Sequence, residues 1–365
     1  MAVSAVIPPL AEASAAVRGP AVLSGAANNA IATVRLNRNE NAYGPSKKVI
    51  AAMWGAMFDA NRYPELETEV LQVRLAVLHG VAPEQIVLGC GAGDIIRMAV
   101  NAFVGSDKTL VTAIPTFDLV PEVARRAGAK VVGVALNRNY AHDLRAMRAS
   151  SDPATGLVYI CNPNNPTGSL TPRQDIDSFI KSLPPETYVL IDEAYHHYVS
   201  RSADYASFID RRLDDDRVIV MRTFSKMYGL AGLRIGYAVS APRTACQLNS
   251  SRLSEPVNIV AAKAAVAALE DVNHVRECVQ KNADDRQEFL DQANARMVRA
   301  IDSHTNFVML NTSGSALNVI EHFRENNVTL PQPFPLCDNY IRVSLGTKAE
   351  MCEFWRVWDL MASTT

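Results

Sequence analysis

From about Val34 onward, short apolar runs rich in β-branched residues alternate with longer amphipathic stretches. The runs Ile86–Gly89, Thr109–Thr112, Lys130–Leu136, Leu157–Cys161, Tyr188–Asp192, Arg217–Arg222 and Ile235–Val239 predict strands, being short, β-prone and bounded by turn residues. Between them, apolar positions at helical spacing predict helices over about 46–59, 66–79, 93–104, 118–127 and 172–182. A strand that is apolar at nearly every position is covered on both faces, and helices linking such strands lay them parallel. The pattern therefore predicts an α/β fold with a mostly parallel central sheet and helices on both faces. In Thr171-Pro172-Arg173-Gln174, an N-cap threonine, a proline at the first helical position and a capping-box glutamine predict one helix start.

After Ser240 the texture changes. Helical segments over about 242–253 and 258–297 precede a strand at Asn306–Leu310, a helix near 315–325 and a strand at Tyr340–Ser344. Thr347-Lys348-Ala349-Glu350 opens the last helix with a second capping-box pattern. This predicts a smaller α+β domain over 241–365 beside a large domain over 34–240, whose residues 34–45 pack with the small one. The start of the chain matches neither. Ten of its first 30 residues are alanine, and only Glu12 and Arg18 are charged. The stretch Ala2–Leu10 resembles the apolar part of an export signal, but the basic residues that should precede it are missing. The expectation is an N-terminal arm over 1–33 on a cytoplasmic protein; a remnant export signal and a periplasmic protein is the alternative.

Composition narrows the picture further. With 365 residues, 48% of them hydrophobic and 20% charged, the chain can bury a sizeable core, and wholesale disorder, collagen and coiled coil are excluded. The 36 basic and 38 acidic side chains give a formal charge of −2, which argues against a broad basic face for nucleic acid. No apolar run reaches the roughly 18 to 20 residues that span a bilayer. Six cysteines are scattered without a C-x-x-C pair, so neither a zinc site nor a disulfide framework is indicated. Reduced, mostly buried thiols are expected.

The candidate chemistry collects at the ends of predicted strands, where α/β sheets place their ligands. Lys226 follows the strand ending near Arg222; among small hydroxyls and apolar groups its ammonium can be desolvated, as a Schiff-base lysine requires. Arg234, with Thr223 and Ser225, can clamp a phosphate. Asp192 ends another strand and can hold a proton on a ring nitrogen, while Tyr195 can donate to a phenolic oxygen. Asp192-Glu193 also looks like a magnesium-nucleotide motif, but the chain has no G-x-x-x-x-G-K-[ST] loop to complete it. The turn Asn162-Pro163-Asn164-Asn165-Pro166-Thr167-Gly168 presents Asn165 from a third strand end. Gly89-Cys90-Gly91-Ala92-Gly93-Asp94 fails as a dinucleotide fingerprint, because Asp94 stands at the sixth position. It suits one phosphate at a helix N-terminus. Phe117 can stack on a flat ring, and Arg342 can pair with a carboxylate.

Jointly these residues describe a site for pyridoxal phosphate. Their order resembles the fold-type I aminotransferases, and most closely the histidinol-phosphate aminotransferase family, over roughly residues 34–350. The blocks that carry the resemblance are 35–46, Arg62-Tyr63-Pro64-Glu65, the Asn165 turn, Asp192-Glu193-Ala194-Tyr195, Ser225-Lys226 with Arg234, and 340–347. The resemblance implies pyridoxal 5'-phosphate as cofactor, joined to Lys226, with Asp192 at its ring nitrogen and Asn165 and Tyr195 at its phenolic oxygen. Ala92, Gly93, Thr223, Ser225 and Arg234 would surround its phosphate, and Phe117 would stack on its ring. Tyr63 would reach the phosphate of a second subunit, implying a homodimer with shared sites. Arg342 would take the substrate carboxylate, and Tyr43 would line the substrate pocket. The implied reaction moves an amino group between an amino acid, or an amino-alcohol phosphate, and a 2-oxo acid such as 2-oxoglutarate, by a ping-pong mechanism. Histidinol-phosphate transamination proper, or a decarboxylase or lyase on the same fold, is the alternative.

Three departures from the family pattern bear on substrate. Ala42 stands where proline is usual, and Gly93-Asp94 where Asp-Glu is usual. The stretch between Glu325 and Ile341 contains no arginine, whereas many members carry one there that helps bind substrate. Neutral, including aromatic, amino acids are therefore the expected substrates rather than histidinol phosphate.

Overall fold

The computed structural model describes residues 33–199, 202 and 204–362; the alanine-rich start and the arm expected over 1–33 lie, but for Thr33, outside the described residues. The strands are β1 (Val34–Arg35), β2 (Ile86–Gly89), β3 (Thr109–Ile114), β4 (Lys130–Ala135), β5 (Thr155–Cys161), β6 (Tyr188–Asp192), β7 (Val218–Thr223), β8 (Gly236–Ser240), β9 (Phe307–Asn311), β10 (Val328–Thr329) and β11 (Tyr340–Ser344). The helices are α1 (Lys47–Ala56), α2 (Glu65–His79), α3 (Ala92–Phe103), α4 (Leu119–Arg126), α5 (Leu144–Ala149), α6 (Arg173–Ser182), α7 (Pro242–Asn249), α8 (Ile259–Leu269), α9 (Val272–Ala295), α10 (Ala316–Glu325) and α11 (Lys348–Ala362).

Seven strands form the main sheet in the order β2-β8-β7-β6-β5-β3-β4. Only β8 runs against its neighbours, so the sheet is mostly parallel, as the apolar runs predicted. Alternate side chains feed two cores. Val158, Ile160, Val189, Ile191 and Val220 pack beneath α1, α2, α6 and α8. Leu157, Tyr159, Leu190, Ile219 and Met221 pack beneath α3, α4 and α7. Every residue of β5 is buried, which is why its sequence shows no polar face. The apolar packing of this layer continues past Ser240, because Ala245 and Leu248 of α7 join one core and the alanines of α8 the other.

The smaller α+β layer is an antiparallel β9–β11 pair, covered by α9, α10 and α11 around Phe289, Phe323, Phe354 and Trp355. Leu36 belongs to this core, and β1 pairs in parallel with β10. That two-residue pair and α5 are too short to show a period in sequence.

Three expectations need correction. The helix expected over 258–297 is two helices, because Asp271 caps a new one by accepting from the His274 amide at 3.3 Å. Thr171 does not cap α6. Its hydroxyl instead accepts from the His142 amide at 3.1 Å and bonds the His142 Nδ1 at 2.7 Å, which leaves Pro172 at the cap position. The cysteines are free, but only Cys161, Cys278 and Cys337 are buried; Cys90, Cys246 and Cys352 are exposed. The capping box at Thr347 and Glu350 forms as expected, with the Thr347 amide donating to Glu350 at 2.7 Å.

Candidate active site

Parallel pairing brings the carboxyl ends of β5, β6 and β7 side by side: Cys161 pairs with Asp192, and Asp192 with Met221. The Asn165 turn, Asp192 and the Thr223–Lys226 loop therefore emerge along one edge of the sheet. Behind them, Glu193 and Arg222 form a buried ion pair at 2.9 Å, reinforced by the Ser207 hydroxyl at 2.8 Å and the Phe208 amide at 2.7 Å.

Lys226 Nζ donates to the carbonyl oxygens of Arg38 at 3.0 Å and Asn39 at 3.1 Å, and sits 5.7 Å from the centre of the Tyr195 ring. Burial, followed by the nearby Arg342 charge, lowers its pKa from 10.5 to about 8. Asp192 is buried; its Oδ1 accepts from the Ala194 amide at 2.9 Å and its Oδ2 from the Tyr159 hydroxyl at 2.7 Å. Burial raises its pKa to about 6, against the lowering influence of the Tyr159 bond. Tyr195 accepts from Asn39 Nδ2 at 3.0 Å, and burial pushes its pKa up, so its own proton stays available for donation.

At the start of α3, the first N–H groups of the helix have no intrahelical acceptor. Arg234, held at a left-handed φ of 56°, lies against them, so that a Cβ added at Gly91 would collide with its guanidinium. A Cβ at Gly236 would fall 2.6 Å from the Ala92 nitrogen. Arg234 Nη1 approaches the Ser225 hydroxyl at 3.4 Å, and Thr223 donates to Ser225 at 3.0 Å. A cationic side chain, two hydroxyls and a helix N-terminus thus converge on a small hollow whose floor tolerates only glycine, a setting matched to one phosphate. Asp94, which stands in the first turn, does not oppose an anion: its carboxylate accepts from the Cys90 amide at 3.1 Å and is paired with Arg97 at 2.7 Å.

Arg342, on β11, reaches over from the small sheet. Its Nη1 donates to Asn165 Oδ1 at 2.5 Å and its Nη2 to the Asn37 carbonyl at 2.7 Å, while the buried Nε has no partner among the described residues. Phe307 and Phe334 flank the guanidinium at 5.4 and 5.0 Å.

The family model for aminotransferase class I and II matches residues 32–356. The chain belongs to that family. Among curated relatives, the histidinol-phosphate aminotransferase of Moorella thermoacetica is 34% identical over 324 residues, covering 88% of this chain and 84% of the relative. That of Caldicellulosiruptor saccharolyticus is 33% identical, covering 88% and 89%. The crystal structure of histidinol-phosphate aminotransferase from Sinorhizobium meliloti, in complex with pyridoxal-5'-phosphate, superposes with a TM-score of 0.86 at 28% identity, covering 92% of each chain. This aminotransferase is thus of fold type I and closely resembles the histidinol-phosphate aminotransferases.

The remaining expected site residues of the aminotransferase sit differently. Phe117 is partly buried against the α3 side of the sheet. Tyr43 shares an apolar cluster with Tyr195 and Phe307, but its hydroxyl is engaged by Asp285 of α9 at 2.5 Å. Tyr63 is 80% exposed and joins none of the others within one chain. Asn39 was missed as an individual residue. It is buried at a left-handed φ of 52°, bonds Tyr195, Ser344 and Lys226, and lies in the 35–46 block, where asparagines recur at 37, 39 and 41. Tyr159 was missed because it reads as one more apolar position of a buried strand.

Proposed function

We propose that this aminotransferase carries pyridoxal 5'-phosphate on Lys226 and moves amino groups between neutral amino acids and a 2-oxo acid. The observation that carries the reading is the convergence of a desolvated lysine, a buried carboxylate and a glycine-floored phosphate hollow at one edge of the sheet. The cradle of Ala92, Gly93, Thr223, Ser225 and Arg234 fits the cofactor's phosphate, and the family resemblance would put Phe117 on its ring face. The cofactor supplies an electron sink for the carbanion left when the substrate loses its α-proton.

The protein supplies the rest. Asp192, as a carboxylate, keeps a proton on the ring nitrogen. Asn165 Oδ1 is held by Arg342 and Tyr195 accepts from Asn39, so the Asn165 Nδ2 and the Tyr195 O–H are left to donate to the phenolic oxygen. Arg342 binds the substrate carboxylate with a planar fork that lysine lacks. Lys226, whose pKa burial lowers to about 8, would take a proton from the substrate α-carbon and return it.

The substrate assignment rests on the surroundings of Arg342. Phe334 lies over the guanidinium; Tyr340 and Tyr140 join hydroxyls at 3.0 Å and pack with Ile301, Met309 and Cys337. A phosphomonoester calls for cations or several donors, and residues 326–340 supply no arginine or lysine. The names of the relatives favour histidinol phosphate as the second reading. Measuring kcat/KM for histidinol phosphate and for phenylalanine, with 2-oxoglutarate as acceptor, decides between them. A preference for histidinol phosphate above about a hundredfold, roughly 2.7 kcal/mol, overturns the neutral-side-chain assignment. Release of carbon dioxide in place of a 2-oxo acid would make the enzyme a decarboxylase.

The same proposal includes a homodimer. Trp54, Phe58, Val70, Val73 and Val77 expose apolar side chains along α1, α2 and the turn between them, close in sequence to the exposed Tyr63. Exposed apolar side chains gathered in one stretch of chain favour a protein–protein interface there.

A further inference from the structure

Tyr159 is fully buried in β5, among residues that only need to be apolar to fill the core beneath α3 and α4. Phenylalanine would pack there equally well, and without the cost of burying a hydroxyl. Its register explains the difference. Tyr159 pairs with Leu190 on the neighbouring strand, and Asp192 lies two residues beyond Leu190 on the same face. The phenol therefore points along the sheet to the strand end and meets Asp192 Oδ2 at 2.7 Å.

We propose that Tyr159 is a positioning residue that holds Asp192 as a carboxylate in one orientation toward the cofactor's ring nitrogen. The inference rests on the reading that Asp192 serves that nitrogen. With Ala194 N–H on Oδ1 and Tyr159 O–H on Oδ2, both oxygens are tethered, and rotation of the carboxylate breaks a bond at each end. The groups facing Asp192 are few. Tyr159 and Cys161 come from β5, Lys226 from the loop after β7, and Glu193 and Tyr195 from its own loop. Glu193 is already tied to Arg222, and the Cys161 thiol is turned to the Pro163 carbonyl at 3.3 Å. The Tyr159 hydrogen bond is the largest of the influences that oppose the effect of burial on Asp192, ahead of the Ala194 amide and the Lys226 charge. The phenol keeps its own proton, because burial and the adjacent carboxylate both raise its pKa.

The test uses the full-length protein stripped of cofactor. It compares binding of pyridoxal phosphate with binding of its 1-deaza analogue, in which a C–H replaces the ring nitrogen. Tyr159→Phe should weaken pyridoxal phosphate about tenfold at pH 7 and move the acid limb of its affinity to higher pH. The analogue, which has nothing for Asp192 to hold, should change less than about threefold. Equal loss for both ligands would make Tyr159 a packing residue and overturn the proposal, as would no loss for either. Asp192→Ala is the control. If it fails to abolish the preference for pyridoxal phosphate over the analogue, the Asp192 reading falls; if it does abolish it, only Tyr159 is on trial. Should Tyr159→Phe fold poorly, 3-fluorotyrosine placed at 159 gives the opposite perturbation. It is a stronger donor of the same size, and it should move the acid limb to lower pH; an unmoved or raised limb overturns the proposal.

Discussion

Arg342 donates to Asn165 across 2.5 Å, so a residue of the small sheet holds the amide of a turn that belongs to the large one. Arg342→Lys should lower kcat/KM for every amino-acid substrate by about a hundredfold, since lysine cannot make the planar two-point contact. Cofactor affinity, measured by titration of the stripped protein, should stay within a few-fold of wild type. A substrate-dependent loss would show that Arg342 reads the side chain rather than the carboxylate.

Reduction with borohydride should fix the cofactor on Lys226, and peptide mass spectrometry should find it on no other lysine. Lys226→Ala should retain noncovalent cofactor while losing essentially all transamination.

The pH dependence of that attachment follows from the same lysine. Its pKa is lowered from 10.5 to about 8, so the unprotonated amine accumulates as pH rises through 8 instead of 10.5. The rate of covalent capture by the stripped protein should therefore rise up to about pH 8 and then level off. A rate still climbing steeply at pH 10 would show an ordinary, solvated lysine.

Glu193→Ala should be among the costliest substitutions, although Glu193 is given no part in the proposed chemistry. It leaves Arg222 buried without its counter-ion and strips acceptors from Ser207 and the Phe208 amide. Breaking such a pair costs about 3–5 kcal/mol, read as a lower urea midpoint with an unchanged slope.

If Tyr63 completes a neighbouring site, mixing Lys226→Ala with Tyr63→Phe should restore activity. In the mixed dimer one site has both wild-type residues. A fully active monomer by light scattering would refute shared sites.

Much of this was legible in sequence because its causes are local. Strands buried on both faces print continuous apolar runs, and Asp192 and Thr223 close two of them while Asn165 stands in the turn after a third. What was hidden depends on partners distant in the chain. The Thr171 hydroxyl was diverted to His142, which no local pattern announces. The break between α8 and α9 turned on Asp271 capping rather than continuing a helix. Tyr159 carries its meaning in one hydroxyl on a strand where the aromatic ring alone satisfies the pattern.

The resting place of the Lys226 amine has a consequence for how the enzyme can be divided. Lys226 Nζ leans on the carbonyls of Arg38 and Asn39, and the first of these lies 188 residues earlier in the chain. That same strap is stitched to the smaller layer, where Leu36 bonds Thr329 of β10 and receives the Ser344 amide of β11, and Asn39 bonds the Ser344 side chain. A fragment holding the whole seven-stranded sheet, with every residue of the phosphate cradle, would thus still leave its lysine unmoored. The catalytic unit begins before the sheet does and closes only after β11.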